Sequence, residues 1–255
     1  MLKERFNQLL KKNFVFTPTE EQAVLIDKLS DFVCDIDARG IFVLKGYAGT
    51  GKTTIISALV KSLLPVGKKS SLLAPTGRAA KVLANYSGKT ALTIHKKIYW
   101  MRTNSKGNTY VKLQENKHTS TIFVVDEASM IPDQNDKGFG NRSLLDDLIE
   151  YVYSGINCKL ILIGDTAQLP PIGLDISPAL NEELLNSCYD KEVYVNELTQ
   201  VIRQEEDSMI LSNATDIRNQ IALENETYPR LRFAKDVIKI TAGDELQYAL
   251  ESAYS

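Results

Sequence analysis

Leu2, Phe6, Leu9 and Leu10 recur at helical spacing, so the chain opens on a short amphipathic helix. Thr17-Pro18-Thr19-Glu20 reads as the start of the next one. Thr17 can cap it, Pro18 suits the first helical position, and Glu20 can close a capping box. Leu25, Leu29, Phe32 and Val33 then form its buried stripe. Ile41-Phe42-Val43-Leu44 changes the pattern to an unbroken apolar run that ends in a glycine loop. Such a run suits a strand of a parallel sheet with both faces covered. A helix follows, with Ile55, Ile56, Leu59, Val60, Leu63 and Leu64 on one face, until Pro65 and Gly67 stop it.

The alternation repeats. Ser71-Leu72-Leu73-Ala74 is a strand ending at Pro75-Thr76-Gly77, and Arg78 to Leu83 is helical. Thr121 to Val125 is a strand ending at Asp126, Leu144 to Tyr153 is helical, and Lys159 to Ile163 is a strand ending at Gly164-Asp165. Strands alternating with helices predict an α/β domain with a mainly parallel sheet. Ligands of such sheets bind beyond the carboxyl ends of the strands, which is where the polar motifs of this chain fall.

The most specific motif is Gly46-Tyr47-Ala48-Gly49-Thr50-Gly51-Lys52-Thr53, a G-x-x-x-x-G-K-[ST] loop between a predicted strand and a predicted helix. Its glycines let successive N–H groups point at phosphate oxygens, and the helix behind adds its positive end. Gly46, Ala48, Gly49, Thr50, Gly51, Lys52, Thr53 and Thr54 are therefore the candidate ATP contacts. Lys52 should reach the β- and γ-phosphates, and Thr53 should offer its hydroxyl to Mg2+. Such a loop needs an acid on a neighbouring strand, and Val124-Val125-Asp126-Glu127 supplies one. Asp126 can hold the metal, and Glu127 is the natural base for the attacking water. Alone, an Asp-Glu pair merely ends a strand; beside a P-loop it gains this function.

Bulk composition adds less. The 255 residues are 44% hydrophobic, enough for a sizeable core, and no apolar run approaches a membrane span. Three scattered cysteines argue against a disulfide framework or zinc site and for a reducing, cytoplasmic setting. The net charge of −2 hides an asymmetry. Between Lys68 and His118 eleven cations face one acid, Glu115. A polyanion could dock there through its phosphates, and a merely solvated basic face explains the charge equally well.

Six blocks occur in order: the P-loop to Thr54, Leu73 to Ala80, Thr93-Ile94-His95, Val124 to Met130, Ile163 to Pro171, and Leu198 to Gln204. Together they resemble the helicase motifs of superfamily one, in the RecD-like/Dda-like branch. The resemblance implies a RecA-like P-loop NTPase fold and ATP-driven movement along single-stranded DNA, five-prime to three-prime. It implies that Gln22 reads the adenine edge, that Gln168 contacts the γ-phosphate, and that Arg203 reaches the same phosphate from a second motor domain. It assigns the DNA backbone to Pro75, Thr76, Gly77, Arg78, Thr93, His95 and Lys96. Other DNA-repair or replication proteins would be its partners.

Ile98 to Arg102 and Thr109 to Leu113 flank a turn-rich segment and read as a β-hairpin insert within 96–119. The family carries a duplex-splitting pin there. Tyr99, Trp100 or Tyr110 could stack on bases, or pack the hairpin onto the sheet. Residues 133–140 read as a mobile loop. Residues 1–198 are then the first RecA-like domain and 199–255 the beginning of a second. Within the latter, 207–221 reads as a helix, 225–229 as a loop, 237–241 as a strand and 244–254 as a helix. Nothing after Arg203 matches the family's later motifs, so the chain reads either as the leading part of a longer protein or as a divergent short one. A fragment of this kind would hydrolyse ATP poorly. Two functions stay open: a translocating motor, or an ATP-switched single-stranded DNA clamp that does not unwind. A small-molecule kinase shares the P-loop but leaves the basic stretch and the block around Gln168 unexplained.

Overall fold

The computed structural model describes residues 2–35, 39–103, 109–133, 142–168, 170–171, 173–174, 177–202, 209–222, 230–234, 237–240 and 243–254. They divide into two compact units, Met1–Ile202 and Arg203–Ser255.

The first unit opens with α1 (Leu2–Asn13) and α2 (Glu20–Cys34). The start of α2 corrects the reading above, because Thr19 and not Thr17 is the cap. Gln22 sits three residues on and closes a reciprocal capping box with it, the place that Glu20 was expected to fill. Next come β1 (Ile41–Gly46), α3 (Lys52–Leu63), β2 (Lys69–Ala74) and α4 (Gly77–Ser87). After them come β3 (Ala91–Thr93), α5 (Ile94–Ile98), β4 (Tyr99–Thr103) and β5 (Thr109–Leu113). The unit continues with β6 (Thr121–Val125), α6 (Leu144–Ser154), β7 (Lys159–Gly164), α7 (Glu182–Tyr189) and β8 (Val193–Leu198).

Six strands form one sheet in the order β3-β2-β6-β7-β1-β8, every pair parallel. Strand alternation sends successive side chains to opposite faces, so the unbroken apolar runs feed two cores. Phe42, Leu44, Ile122, Val124, Ile161 and Ile163 pack with α1, α2 and α3 on one face. Ile41, Val43, Phe123, Val125, Leu160 and Leu162 pack with α5 and α6 on the other. The hairpin β4–β5 stands apart as a two-stranded antiparallel sheet in register Tyr99↔Leu113 to Thr103↔Thr109. Its turn and most of the loop at 133–140 lie outside the described residues. No helix among the described residues is long and apolar enough to cross a membrane.

The second unit contains α8 (Met209–Ala222) and α9 (Gly243–Tyr254), close to the expected helices. The loop at 225–229 lies outside the described residues. The strand expected at 237–241 does not form. Ala234 and Val237 exchange two backbone bonds at 3.1 Å, and 238–240 carry no strand pairing. An apolar run becomes a strand when a partner takes its N–H and C=O groups, and Ile238 is left exposed instead.

Candidate nucleotide and nucleic-acid site

The sheet order decides which loops meet. β2, β6, β7 and β1 are consecutive neighbours, so the loops at their carboxyl ends stand side by side. They carry Pro75–Arg78, Asp126–Glu127, Asp165–Gln168 and the P-loop.

The P-loop conformation follows from its glycines. Gly49 (φ 83°) and Gly51 (φ 92°) lie in the left-handed region. Gly46 is tightly enclosed, since a Cβ there would lie 3.0 Å from the Thr50 hydroxyl and 3.2 Å from the Leu198 carbonyl oxygen. The loop is braced from within, where the Thr50 hydroxyl donates to the Tyr47 carbonyl at 2.8 Å. Gly51 caps α3 and supplies no side chain, which leaves the first turn, with Lys52, Thr53 and Thr54, open to oxygen acceptors. The Lys52 ammonium donates to the carbonyls of Gly46 and, at 2.8 Å, Tyr47. Gln22 is 2% exposed and underlies the loop. Its amide oxygen accepts the Thr19 N–H at 3.1 Å, and its nitrogen donates to the Thr50 carbonyl at 3.0 Å. The amide thus braces the P-loop as well as α2.

Asp126 and Glu127 follow β6 directly. One Asp126 oxygen accepts the Glu127 N–H at 3.0 Å, and the other accepts the Tyr86 hydroxyl. Burial pushes the Asp126 carboxyl above its usual range, against the opposing pull of Tyr86, the Glu127 N–H and the nearby Lys52 ammonium. Burial and the Asp126 charge push Glu127 up too, against Lys52 and the Gln168 amide. Burial and the Asp126 carboxylate raise the Tyr86 hydroxyl far above its ordinary value, which keeps it a donor. Glu127 has φ 56°, an unfavourable backbone for a side-chain-bearing residue, of the kind found where function fixes a group. Gln168 bonds the Glu127 carboxylate and accepts the Ser129 hydroxyl at 3.3 Å. Arg203 lies outside the described residues.

The donor set fits magnesium. Asp126 and Thr53 offer hard oxygens, as this ion requires. Among the described residues no cluster of three His, Cys, Asp or Glu could hold a metal alone. Magnesium is commonly held this way, by one or two carboxylates completed by phosphate and water.

The strand side lies one step along the sheet. Thr76 caps α4 by accepting the Ala79 N–H at 3.2 Å, and Thr93 caps α5 by accepting the Lys96 N–H at 3.2 Å. Between α4 and the edge strand β3 runs a groove of ≈ 570 Å³ that includes Gly77, Lys81, Lys89, Thr93 and Lys96 in its lining. Arg78 is exposed, Pro75 is half-buried, and the His95 ring leans on Tyr99 at 5.8 Å. The basic stretch is not one face. Lys68 and Lys69 stand at the opposite, amino edge of the sheet, Lys89 donates to Ser70, and Lys97 lies 2.7 Å from His118.

The hairpin aromatics divide. Tyr99 is 7% exposed and its hydroxyl donates to Asp147 at 2.7 Å, so it belongs to the core and is withdrawn from the base-stacking set. Its neighbour Trp100, on the opposite face of the same strand, is 58% exposed. The Tyr110 side chain lies outside the described residues. Sequence reasoning missed Tyr86 as the partner of Asp126, Ser129 as the partner of Gln168, and Glu21, which holds the segment after β8. The capping box at Thr19 had a signal in its T-x-x-Q spacing, which the assignment of the cap to Thr17 passed over; Tyr86 had no local signal.

A parallel sheet with a glycine loop and lysine at the end of β1 and two acids at the end of β6, on either side of β7, defines a RecA-like P-loop nucleotide-binding domain. The AAA-domain family matches residues 30–234, so the chain belongs to that family. The ATP-dependent RecD2 DNA helicase of Deinococcus radiodurans is 32% identical over 154 residues, 60% of this chain and 18% of that protein. The ATP-dependent DNA helicase dda of Enterobacteria phage T4 is 31% identical over 180 residues, 69% of this chain and 37% of that protein. The chain thus spans well under half of either relative. The Pif1 helicase structure from Candida albicans aligns over 94% of this chain and 55% of its own, at 18% identity and a TM-score of 0.46.

Proposed function

We propose that this chain is part of a DNA helicase motor that hydrolyses ATP with magnesium and moves along single-stranded DNA, five-prime to three-prime. The observation that carries the reading is the meeting of Lys52, Asp126, Glu127 and Gln168 at the ends of β1, β6 and β7, one strand away from the α4–β3 groove. The two DNA helicases it resembles support it. Lys52 and the first turn of α3 bind the phosphates. Thr53 and Asp126 hold the ion, which when bound neutralises charge on the phosphate oxygens. Glu127, kept basic enough by its burial, orients the attacking water and takes its proton. Gln168, bonded to Glu127, reports the γ-phosphate to the neighbouring loops. Pro75, Thr76, Gly77, Arg78, Thr93, His95 and Lys96 hold the DNA backbone through hydroxyls, N–H groups and cations. Residues 1–198 form the first motor domain with 96–119 as its insert, and 199–255 belong to a second.

The test is the ATPase rate of the full-length protein with and without single-stranded DNA, beside strand separation on a forked duplex. Strong stimulation with unwinding is expected, and hydrolysis by Glu127→Gln should fall about 100-fold or more while nucleotide binding persists. DNA binding that tracks nucleotide state without translocation or unwinding would replace the motor with a clamp. Unchanged single-turnover hydrolysis in Glu127→Gln would remove that residue from the mechanism.

A further inference from the structure

Tyr86 stands near the end of α4, forty residues from Asp126 in sequence, with its hydroxyl on one oxygen of that carboxylate. Its ring packs on the core between the sheet and α1–α3, so the hydroxyl has little freedom to move. The other Asp126 oxygen is held by the Glu127 N–H. The carboxylate is therefore gripped at both atoms, by its own backbone neighbour and by a helix from elsewhere in the fold. That helix starts at Thr76 and Gly77, in the segment assigned above to the DNA backbone. An eleven-residue helix of about 15 Å thus has one end on the strand-binding segment and a hydrogen bond to the metal acid near the other.

We propose that Tyr86 is a positioning residue that orients Asp126 for magnesium, and that α4 carries the state of the DNA-binding segment to the metal site through this bond. The inference rests on the motor reading above. Outer hydrogen bonds to metal-holding side chains fix their orientation and set metal affinity. A phenol donor does this at one carboxylate oxygen and leaves the direction of the other to the Glu127 N–H. Because the helix is a single rigid element, displacement of Thr76–Arg78 by a bound strand reaches the Tyr86 hydroxyl. By reciprocity, magnesium–nucleotide binding then alters the affinity for the strand.

The test is Tyr86→Phe, which removes one oxygen and keeps the ring. Binding of a fluorescent ATP analogue is titrated with magnesium, with and without a single-stranded oligonucleotide. In the wild type, magnesium should tighten nucleotide binding and the oligonucleotide should move the magnesium midpoint. In Tyr86→Phe the midpoint should rise by about tenfold and the oligonucleotide should no longer move it, while metal-free nucleotide affinity stays at the wild-type value. An unmoved midpoint, an intact oligonucleotide effect, or an equal loss of metal-free binding would overturn the proposal. Failure of the wild type to bind the analogue at all would instead sink the motor reading.

Discussion

The two edges of the one sheet put a lysine to opposite uses. At the carboxyl edge the Lys52 ammonium rests on the carbonyls of Gly46 and Tyr47, inside a loop with two left-handed glycines and beside two half-buried acids. At the amino edge Lys159 is 4% exposed, donates to the carbonyls of Phe32 and Asp35 at 2.5 Å each, and lies 4.9 Å over the Phe32 ring. A cavity of ≈ 500 Å³ opens beside it, lined in part by Asp35, Lys68 and Gly155, yet the described polar groups around it are bonded to one another. The Asn116 amide donates to the Tyr151 and Val152 carbonyls and accepts the His118 N–H. Tyr153 donates to the Gly40 carbonyl, and a Cβ on Gly155 would fall 2.5 Å from the Asn116 nitrogen. The amino edge satisfies its polar groups internally. The carboxyl edge holds an exposed Gln168 and Thr53 and two acids whose carboxyls burial pushes above their usual range. A buried polar group that is fully bonded stabilises; one held ready for a ligand gives up part of that stability.

Substituting the two lysines should separate the edges most sharply. Lys52→Ala should lower ATP hydrolysis by about 100-fold or more, because it removes a charged donor from the developing charge, and should leave the melting midpoint almost unchanged. Lys159→Met should do the reverse. It leaves the Phe32 and Asp35 carbonyls without a donor, at about 1–3 kcal/mol, so the midpoint should fall while nucleotide affinity of the folded protein holds. Calorimetry and nucleotide titration on both variants settle it. A Lys159→Met protein that stays stable but loses nucleotide would erase the distinction between the edges.

The same division explains what the sequence revealed. The P-loop was legible because its backbone demands glycine at Gly49 and Gly51, and the strand–loop–helix setting is local. Asp126 and Glu127 were legible because they end an apolar strand. The partners that tune them were not: Tyr86 reaches Asp126 across forty residues, and Ser129 reaches Gln168 across thirty-nine, so neither follows from periodicity. The strand β8 was missed since it is an edge strand whose burial is only partial, without the apolar run that marked β1, β6 and β7. The basic stretch was legible as charge and misleading as a surface. The chain crosses from one sheet edge to the other within it, which sends Lys68 and Arg78 to opposite ends.

A middle-sized effect separates two neighbouring aromatics. Consecutive strand residues must face opposite ways, so Tyr99 and Trp100 could never both have met a base from one side. Tyr99→Phe leaves Asp147 without the hydroxyl while keeping its salt bridge to Arg142 at 2.9 Å. It should cost about 1 kcal/mol of stability and leave DNA affinity alone. Trp100→Ala should weaken single-stranded DNA binding by about tenfold, the scale of one lost stacking contact, and leave the melting midpoint nearly unmoved. Fluorescence anisotropy with a short oligonucleotide, beside thermal melts, reads both. Equal DNA affinity in Trp100→Ala and wild type would return the hairpin to a purely structural role.

Within the carboxyl edge itself one strut is fixed and does no chemistry. Glu21, in the first turn of α2, accepts the Thr199 N–H at 2.8 Å, the Thr199 hydroxyl at 2.6 Å and the Gln200 N–H at 3.1 Å. Two residues on, the Ile202 N–H donates to the Gly49 carbonyl at 3.0 Å, so the segment leaving β8 is tied both to α2 and to the P-loop. Burial pushes the Glu21 carboxyl up, and the Thr199 hydroxyl with the two N–H groups outweighs it, holding the group below its ordinary 4.5. A lowered folded-state pKa contributes stability that is present above 4.5 and is lost as pH falls through the folded value. Glu21→Gln keeps the shape and removes the charge, so at neutral pH it should lower stability by about 1 kcal/mol. The difference in melting midpoint between variant and wild type should then close as the pH is taken below 4.5. A difference that stays constant across that range would mean the contact works by shape alone. In that case the charged strut would not distinguish this corner of the carboxyl edge from the neutral, fully bonded network around Asn116.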